Sequence, residues 1–146
     1  MSTGAYDVLS EHQHIRRLVD AIEIALDKRT QGGKAWFEEL EPVLSELSKG
    51  LVAHFKGEEA EFFTDVGKRL PRHAPTIERL VEQHQTLSRD FEEVAQKVST
   101  LNVANAEQVA AFAVLVSKTL KALRTHEEQE NELMLVAYWQ DLGEAD

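Results

Sequence analysis

The chain is poor in residues that cross-link small secreted domains or interrupt long helices. None of its 146 residues is cysteine, which excludes disulfides, thiolate metal sites and iron–sulfur clusters. Only three prolines and seven glycines are present. No apolar run approaches the roughly 18 residues of a membrane-spanning helix. The first residues contain neither a basic region nor an apolar run, so we expect no signal peptide and a cytoplasmic protein.

Positive charge is also scarce. The chain has 16 lysines and arginines against 26 aspartates and glutamates, a formal net charge of −10. Nucleic acids and anionic membranes attract basic surfaces, so we expect neither of them as a partner. Part of the acidic excess fits carboxylates that offset bound cations.

Apolar residues recur at intervals of three, four and seven, which indicates helices and not strands. This periodicity predicts four long helices, at approximately residues 7–29, 36–66, 76–101 and 105–138. Pro42 predicts a kink or a short preceding turn in the second helix. Asn105, followed three residues later by Gln108, resembles a capping box that opens the fourth helix. The connections are short, so we expect residues 1–146 to form one all-α domain, an up-down-up-down antiparallel four-helix bundle.

Six residues that can bind metal form two copies of one pattern. The copies are offset by 72 residues, with His12, His54 and Glu58 in the first and His84, His126 and Glu130 in the second. Residues four apart stack on one helix face, so each His-x-x-x-Glu presents an imidazole and a carboxylate to the same place. Antiparallel packing places early positions of one helix beside late positions of the next. The sequence therefore predicts that the four helices converge on a two-metal site.

The types of the six side chains select the kind of metal. Four imidazoles and two carboxylates suit first-row transition metals, and an oxo- or hydroxo-bridged pair of irons is the natural candidate. Glu58 and Glu130 would bridge the two ions, and two histidines would complete the protein ligands of each. On ligand type alone, manganese or zinc in both positions is also compatible. Without a metal, six ionisable groups buried together would carry a heavy desolvation cost.

Other ionisable residues close to the pattern have open roles. Glu59 and Glu127 adjoin the ligand face and are candidates for an alternative carboxylate or a hydrogen-bond partner, although a solvated position is favoured for both. Glu61 lies on the histidine face of the second helix and is a further candidate for a ligand or proton carrier. His14 is expected to be exposed on the side of its helix opposite His12.

Four sequence elements together resemble the hemerythrin-like domain, also called the HHE cation-binding domain. They are Glu11-His12-x-x-Ile15, His54-x-x-x-Glu58-Glu59, Gln83-His84-x-x-Leu87 and His126-x-x-x-Glu130. The resemblance extends from about residue 7 to 138. It implies a four-helix bundle around a non-haem di-iron centre with bridging carboxylates, and it implies that the six residues of the repeated pattern are the ligands.

The chain departs from hemerythrins that carry oxygen. Those proteins have a fifth histidine one turn from the third-helix ligand, where this chain has Leu80 and Ser88. Its second carboxylate is also a glutamate four residues after His126, in place of an aspartate five residues after. The resemblance therefore implies reactivity with oxygen, peroxide or nitric oxide, and not reversible oxygen carriage.

Two hypotheses of different classes follow. In the first, a di-iron protein reacts with or senses a small oxidant (O2, peroxide or NO), and turnover would make it a peroxide- or NO-consuming oxidoreductase. In the alternative, an iron- or redox-sensing or iron-handling module signals to an unidentified protein partner without catalytic turnover. We expect a monomer or a weak homo-oligomer in either case.

Overall fold

Four long rods of helix account for most of the chain. The computed structural model describes residues 5–141, with side chains from 8 to 138. Within that range no strand forms. The α-helices are α1 (Ala5–Lys28), α2 (Ala35–Gly57), α3 (Phe63–Arg69), α4 (Ala74–Thr100) and α5 (Ala106–Leu135). A π-helical stretch, Glu58–Phe62, joins α2 to α3 into one rod, and a second, Val136–Asp141, extends α5.

The rods form a closed ring of neighbours. The helix α1 packs against α2 and α5, and α4 packs against the same two helices. The link from α1 to α2 is tight because Gly32 and Gly33 adopt positive φ angles of 84° and 73°, which favour glycine. Short links of this kind make successive rods antiparallel. The predicted all-α antiparallel four-helix bundle is confirmed.

The apolar stripes meet in two separate clusters. The larger is built from α1, α2, α4 and α5 and includes Ile22, Leu40 and Leu123, each fully buried. The smaller contains Phe62 and Leu80 together with residues of α1, α3 and α5. The repeated His and Glu positions fall between the two clusters, so the polar layer is covered by apolar side chains on both sides.

The predicted helix boundaries differ from the structure by a few residues. The second rod continues to Arg69, and α4 begins at Ala74, so the connector is shorter than the predicted gap between residues 66 and 76. Proline explains this difference, because Pro71 opens a 3₁₀ turn and Pro75 lies in the first turn of α4, where the missing N–H is not needed. Pro42 does not end a helix either, since α2 runs through it from Ala35. Its exposed position lets water satisfy the carbonyl of Glu38.

The start of α5 is capped by side chains. The Asn105 Oδ1 accepts a hydrogen bond from the backbone N–H of Gln108 at 3.1 Å, which confirms the predicted N-cap. The return bond differs from a capping box, because the Gln108 Oε1 accepts from the backbone N–H of Asn102. Between residues 5 and 141, no helix combines the length and the apolar character needed to cross a membrane.

Candidate metal centre

The six residues predicted as ligands lie together in the polar layer. Each is at most 7% exposed. One comes from α1, one from α2, one from the start of the π-helical stretch, one from α4 and two from α5. In that order they are His12, His54, Glu58, His84, His126 and Glu130.

These residues form two overlapping groups that can each hold a metal ion. His12 and His54 form one group with Glu58 and Glu130, and His84 and His126 form the other with the same two glutamates. Within each group the candidate ligand atoms all lie within 4.8 Å of one another. Both carboxylates are therefore shared between two pairs of histidines.

Each shared glutamate directs one oxygen to each side. The Oε2 of Glu58 lies 3.0 Å from the Nε2 atoms of His12 and His54, while its Oε1 lies 3.0 Å from the Nε2 of His84. The Oε1 of Glu130 lies 2.9 Å from the Nε2 of His12. Its Oε2 lies 2.9 Å from that of His84 and 2.8 Å from that of His126. This is the arrangement that a carboxylate needs to bridge two cations.

Every histidine is anchored through its other ring nitrogen. Each Nδ1–H donates to a side-chain oxygen outside the centre, over distances from 2.6 to 3.0 Å. The pairs are His12 with Asn131, His54 with Glu11, His84 with Glu59 and His126 with Gln83. Because the proton on Nδ1 is engaged, Nε2 is left as the coordinating atom on all four rings.

The anchoring residues follow the same repeat as the ligands. Glu11 and Gln83 are 72 residues apart, and so are Glu59 and Asn131, with a carboxylate in the first copy and an amide in the second. As a result each group has one histidine anchored by a carboxylate and one anchored by an amide. The sequence interpretation missed three of these anchors and favoured a solvated Glu59. Extending the 72-residue offset to neighbouring polar positions would have found them.

Without metal, protons hold the polar layer together. Burial alone lowers the pKa of His12, but its hydrogen bonds with Glu130 and Glu58 outweigh burial and raise that pKa to about 10. The same competition raises the pKa of His84 to about 9. Burial raises the pKa of both glutamates, yet the histidine contacts prevail and hold the Glu58 pKa low and the Glu130 pKa lower still. Imidazolium ions thus occupy the electrostatic role that bound cations would take.

Four buried atoms of the centre nevertheless lack a properly oriented hydrogen bond to any described residue. They are the Nε2 of His54, the Oε1 of Glu58, the Nε2 of His126 and the Oε1 of Glu130. Some have an oppositely charged neighbour within 3.0 Å, so the distance is short while the direction is wrong for a hydrogen bond. Unpaired buried polar atoms are costly, and lone pairs converging at this spacing suit metal coordination. The residues present fit two first-row metal ions.

The neighbouring acidic residues do not all lie where they were expected. Glu127 is only 6% exposed, so the favoured solvated position is wrong, and burial raises its pKa to about 7. Glu61 is exposed and belongs to neither metal-binding group. It lies in the wider π-helical turn, which rotates it relative to an α-helical register. His14 is exposed, as predicted, with its Nε2 3.4 Å from Glu46.

Aromatic rings cover one half of the centre. The ring of Phe55 stacks on His84 with centroids 4.0 Å apart and an angle of 11° between the planes. Phe63 lies on the same imidazole at 5.4 Å. These rings exclude water from the His84 side.

Fold and site together define a class, a four-helix bundle with a buried set of imidazoles and carboxylates that can hold metal ions. The family model described as hemerythrin HHE cation binding domain matches residues 3–138. The chain therefore belongs to the hemerythrin HHE cation-binding family, and the resemblance drawn from its sequence is confirmed. Searches of curated proteins and of solved structures return no match.

Proposed function

We propose that the six residues of the polar layer bind two iron ions, one in each group, and that this di-iron centre reacts with a small oxidant: oxygen, peroxide or nitric oxide. The observation that carries the proposal is the position of Glu58 and Glu130, each of which directs one oxygen to each pair of histidines. Carboxylates shared in this way hold two cations, not one.

The protein's own residues bind, orient and shield the metal pair. The four Nδ1 anchors fix the imidazole planes, so that the Nε2 lone pairs converge without further rearrangement. Glu58 and Glu130 place negative charge between the ions and reduce their mutual repulsion. When bound, iron supplies a one-electron change between ferrous and ferric states and coordination positions that the protein leaves open.

The charge around the centre supports a redox-active pair of ions. Glu11 and Glu59 each accept a hydrogen bond from a histidine, and a carboxylate acceptor makes an imidazole a stronger electron donor to a metal. One such carboxylate serves each group. The two metal positions would therefore receive similar donor strength and a similar preference for the ferric state.

Turnover kinetics test this proposal against its alternative. Iron-loaded protein is mixed in a stopped-flow instrument with hydrogen peroxide, and separately with nitric oxide, and consumption is followed over many equivalents. We expect repeated turnover of at least one of them, and none in Glu130→Gln protein that has lost its iron. A single stoichiometric spectral change, accompanied by altered association of the protein, would contradict the reactive role and support the sensing module.

The sensing module has no specific observation in its favour. The large exposed apolar side chains are distributed over three helices, at Leu9, Ile24, Val52, Val114 and Leu135. The cytoplasmic location, the single-domain organisation and the monomeric or weakly oligomeric state stay predictions.

A further inference from the structure

The two halves of the repeat differ on one face of the centre. Between α1 and α5 the chain encloses a cavity of about 160 Å³, lined by Arg16, Val19, Arg124, Glu127, Glu128 and Asn131. A cavity of this size has room for a few water molecules or a ligand of a few heavy atoms. Its position brings it next to the His12 anchor, because Asn131 accepts the hydrogen bond from the Nδ1 of His12.

The cavity results from two residues that break the repeat. Val19 corresponds to Phe91 at the 72-residue offset, and Glu127 corresponds to Phe55. In the second half both aromatic rings are buried, and Phe55 stacks on His84. In the first half a smaller side chain and a carboxyl group occupy the equivalent places. One side of the centre is therefore closed by rings, while the other has a polar cavity.

The inner wall of the cavity carries an unsatisfied polar group. Glu127 is 94% buried, since its exposed fraction is 6%, and its Oε2 has no hydrogen-bond partner among the described residues. Its carboxyl group lies within the electrostatic reach of His12 on the inner side and of Arg16 on the outer side. A buried acceptor without a partner is costly unless a ligand or water satisfies it.

We propose that this cavity takes up a small protic molecule of the peroxide class and holds it beside the His12 side of the centre. The Arg16 guanidinium, which only donates, would bond to an oxygen of the molecule, and the Glu127 Oε2 would accept its O–H. The step is one of binding, in which no covalent bond forms or breaks. The inference rests on the proposed function, since it describes how a reactant reaches the metal pair.

Filling the cavity tests the route. Val19→Phe introduces the residue that the second half already carries at the equivalent position, so the change is suited to this bundle. The probe is nitric oxide, whose association with ferrous protein is followed by absorbance after iron content and helicity have been checked. We expect the association rate constant to fall at least tenfold. The mirror variant Phe91→Val, which alters the closed half, should leave it within twofold of wild type.

Removing the acceptor tests the ligand class and does not depend on Val19→Phe folding. Glu127→Met keeps an unbranched chain in the buried position, and Glu128→Met is the matched control at the exposed rim of the same cavity. We expect Glu127→Met to slow the reaction with hydrogen peroxide about tenfold. Nitric oxide has no hydrogen to donate, so its association should stay within twofold. The control should alter neither rate.

The outcomes separate this inference from the proposed function. Wild-type protein that holds iron but reacts with neither probe overturns both. A reactive wild type whose rates are unchanged in Val19→Phe and in Glu127→Met overturns the cavity inference alone. Loss of iron from Glu127→Met also overturns it, because Glu127 would then be a metal ligand and not a group that receives the incoming molecule.

Discussion

Metal binding to the metal-free protein should release protons, and the number follows from the histidine contacts. The pKa of His12 is raised to about 10 and that of His84 to about 9. At pH 7 both rings are therefore protonated to roughly 99% or more. A metal ion requires the Nε2 lone pair, so these two protons must leave when the centre fills. The pKa of His54 is also raised, so it adds a further fraction of a proton.

The glutamates contribute nothing to this release, because their pKa values are lowered and both are already ionised at pH 7. We therefore expect at least about two protons per chain when Co²⁺, chosen to avoid redox chemistry, saturates the protein at pH 7. The sign reverses the usual expectation for buried histidine: metal affinity should keep rising with pH until about pH 10.

Titration calorimetry measures this number directly. Experiments at pH 7 in buffers that differ in protonation enthalpy give the proton count as a slope. Ionisation of a metal-bound water can only add to the count, so a low value has no other explanation. Release of fewer than one proton per chain at saturation would refute the charge assignment in the polar layer. His14→Ala is the control and should give the wild-type number, since His14 is exposed.

Four further results are expected. Glu130→Ala should lose metal, whereas His14→Ala should retain it; equal metal content in both by elemental analysis would exclude Glu130 as a ligand. Asn131→Leu removes the acceptor of the His12 Nδ1–H and should weaken Co²⁺ binding about 10- to 100-fold; unchanged affinity in competition with a chelator would show that the anchor is dispensable. Asn105→Ala removes the cap of α5 and should lower the free energy of unfolding by about 1 kcal/mol in urea, and a change near zero would contradict the cap. Metal-free protein should lose thermal stability as the pH rises from about 6.5 to 10, because histidines with raised folded-state pKa values stabilise only while protonated; a flat melting temperature over that range would be the contrary result.

The number of helices and the six central residues were predictable from the sequence for a simple reason. Apolar periodicity over segments of more than 20 residues is hard to mistake, and the spacing of His54 and Glu58 places both on one helix face. A second copy at a constant offset then makes chance an unattractive explanation. Both signals are local in the chain and survive without knowledge of how the helices pack.

The features that escaped prediction depend on packing between helices. Glu127 directly follows His126, and one step around a helix is about 100°, which by itself directs the side chain away from the ligand face. Packing of α1 against α5 buries it all the same. Glu11 and Asn131 were missed because each reaches across to a histidine on a different helix.

The π-helical stretch from Glu58 to Phe62 was not predictable either, because its residues are compatible with an ordinary α-helix. It changes the register after Glu58 and moves Glu61 to the exposed surface. A strict α-helical period, applied past the first ligand pair, therefore gave the wrong face for that residue.

The most direct test of a two-metal centre is the metal content of the chain, measured by elemental analysis on protein purified without oxygen, with absorption spectra recorded before and after exposure to air. We predict about two irons per chain and new charge-transfer bands in the near-ultraviolet after air. A folded chain that binds no metal, or that saturates with a single ion, would contradict the shared-carboxylate centre on which the account depends.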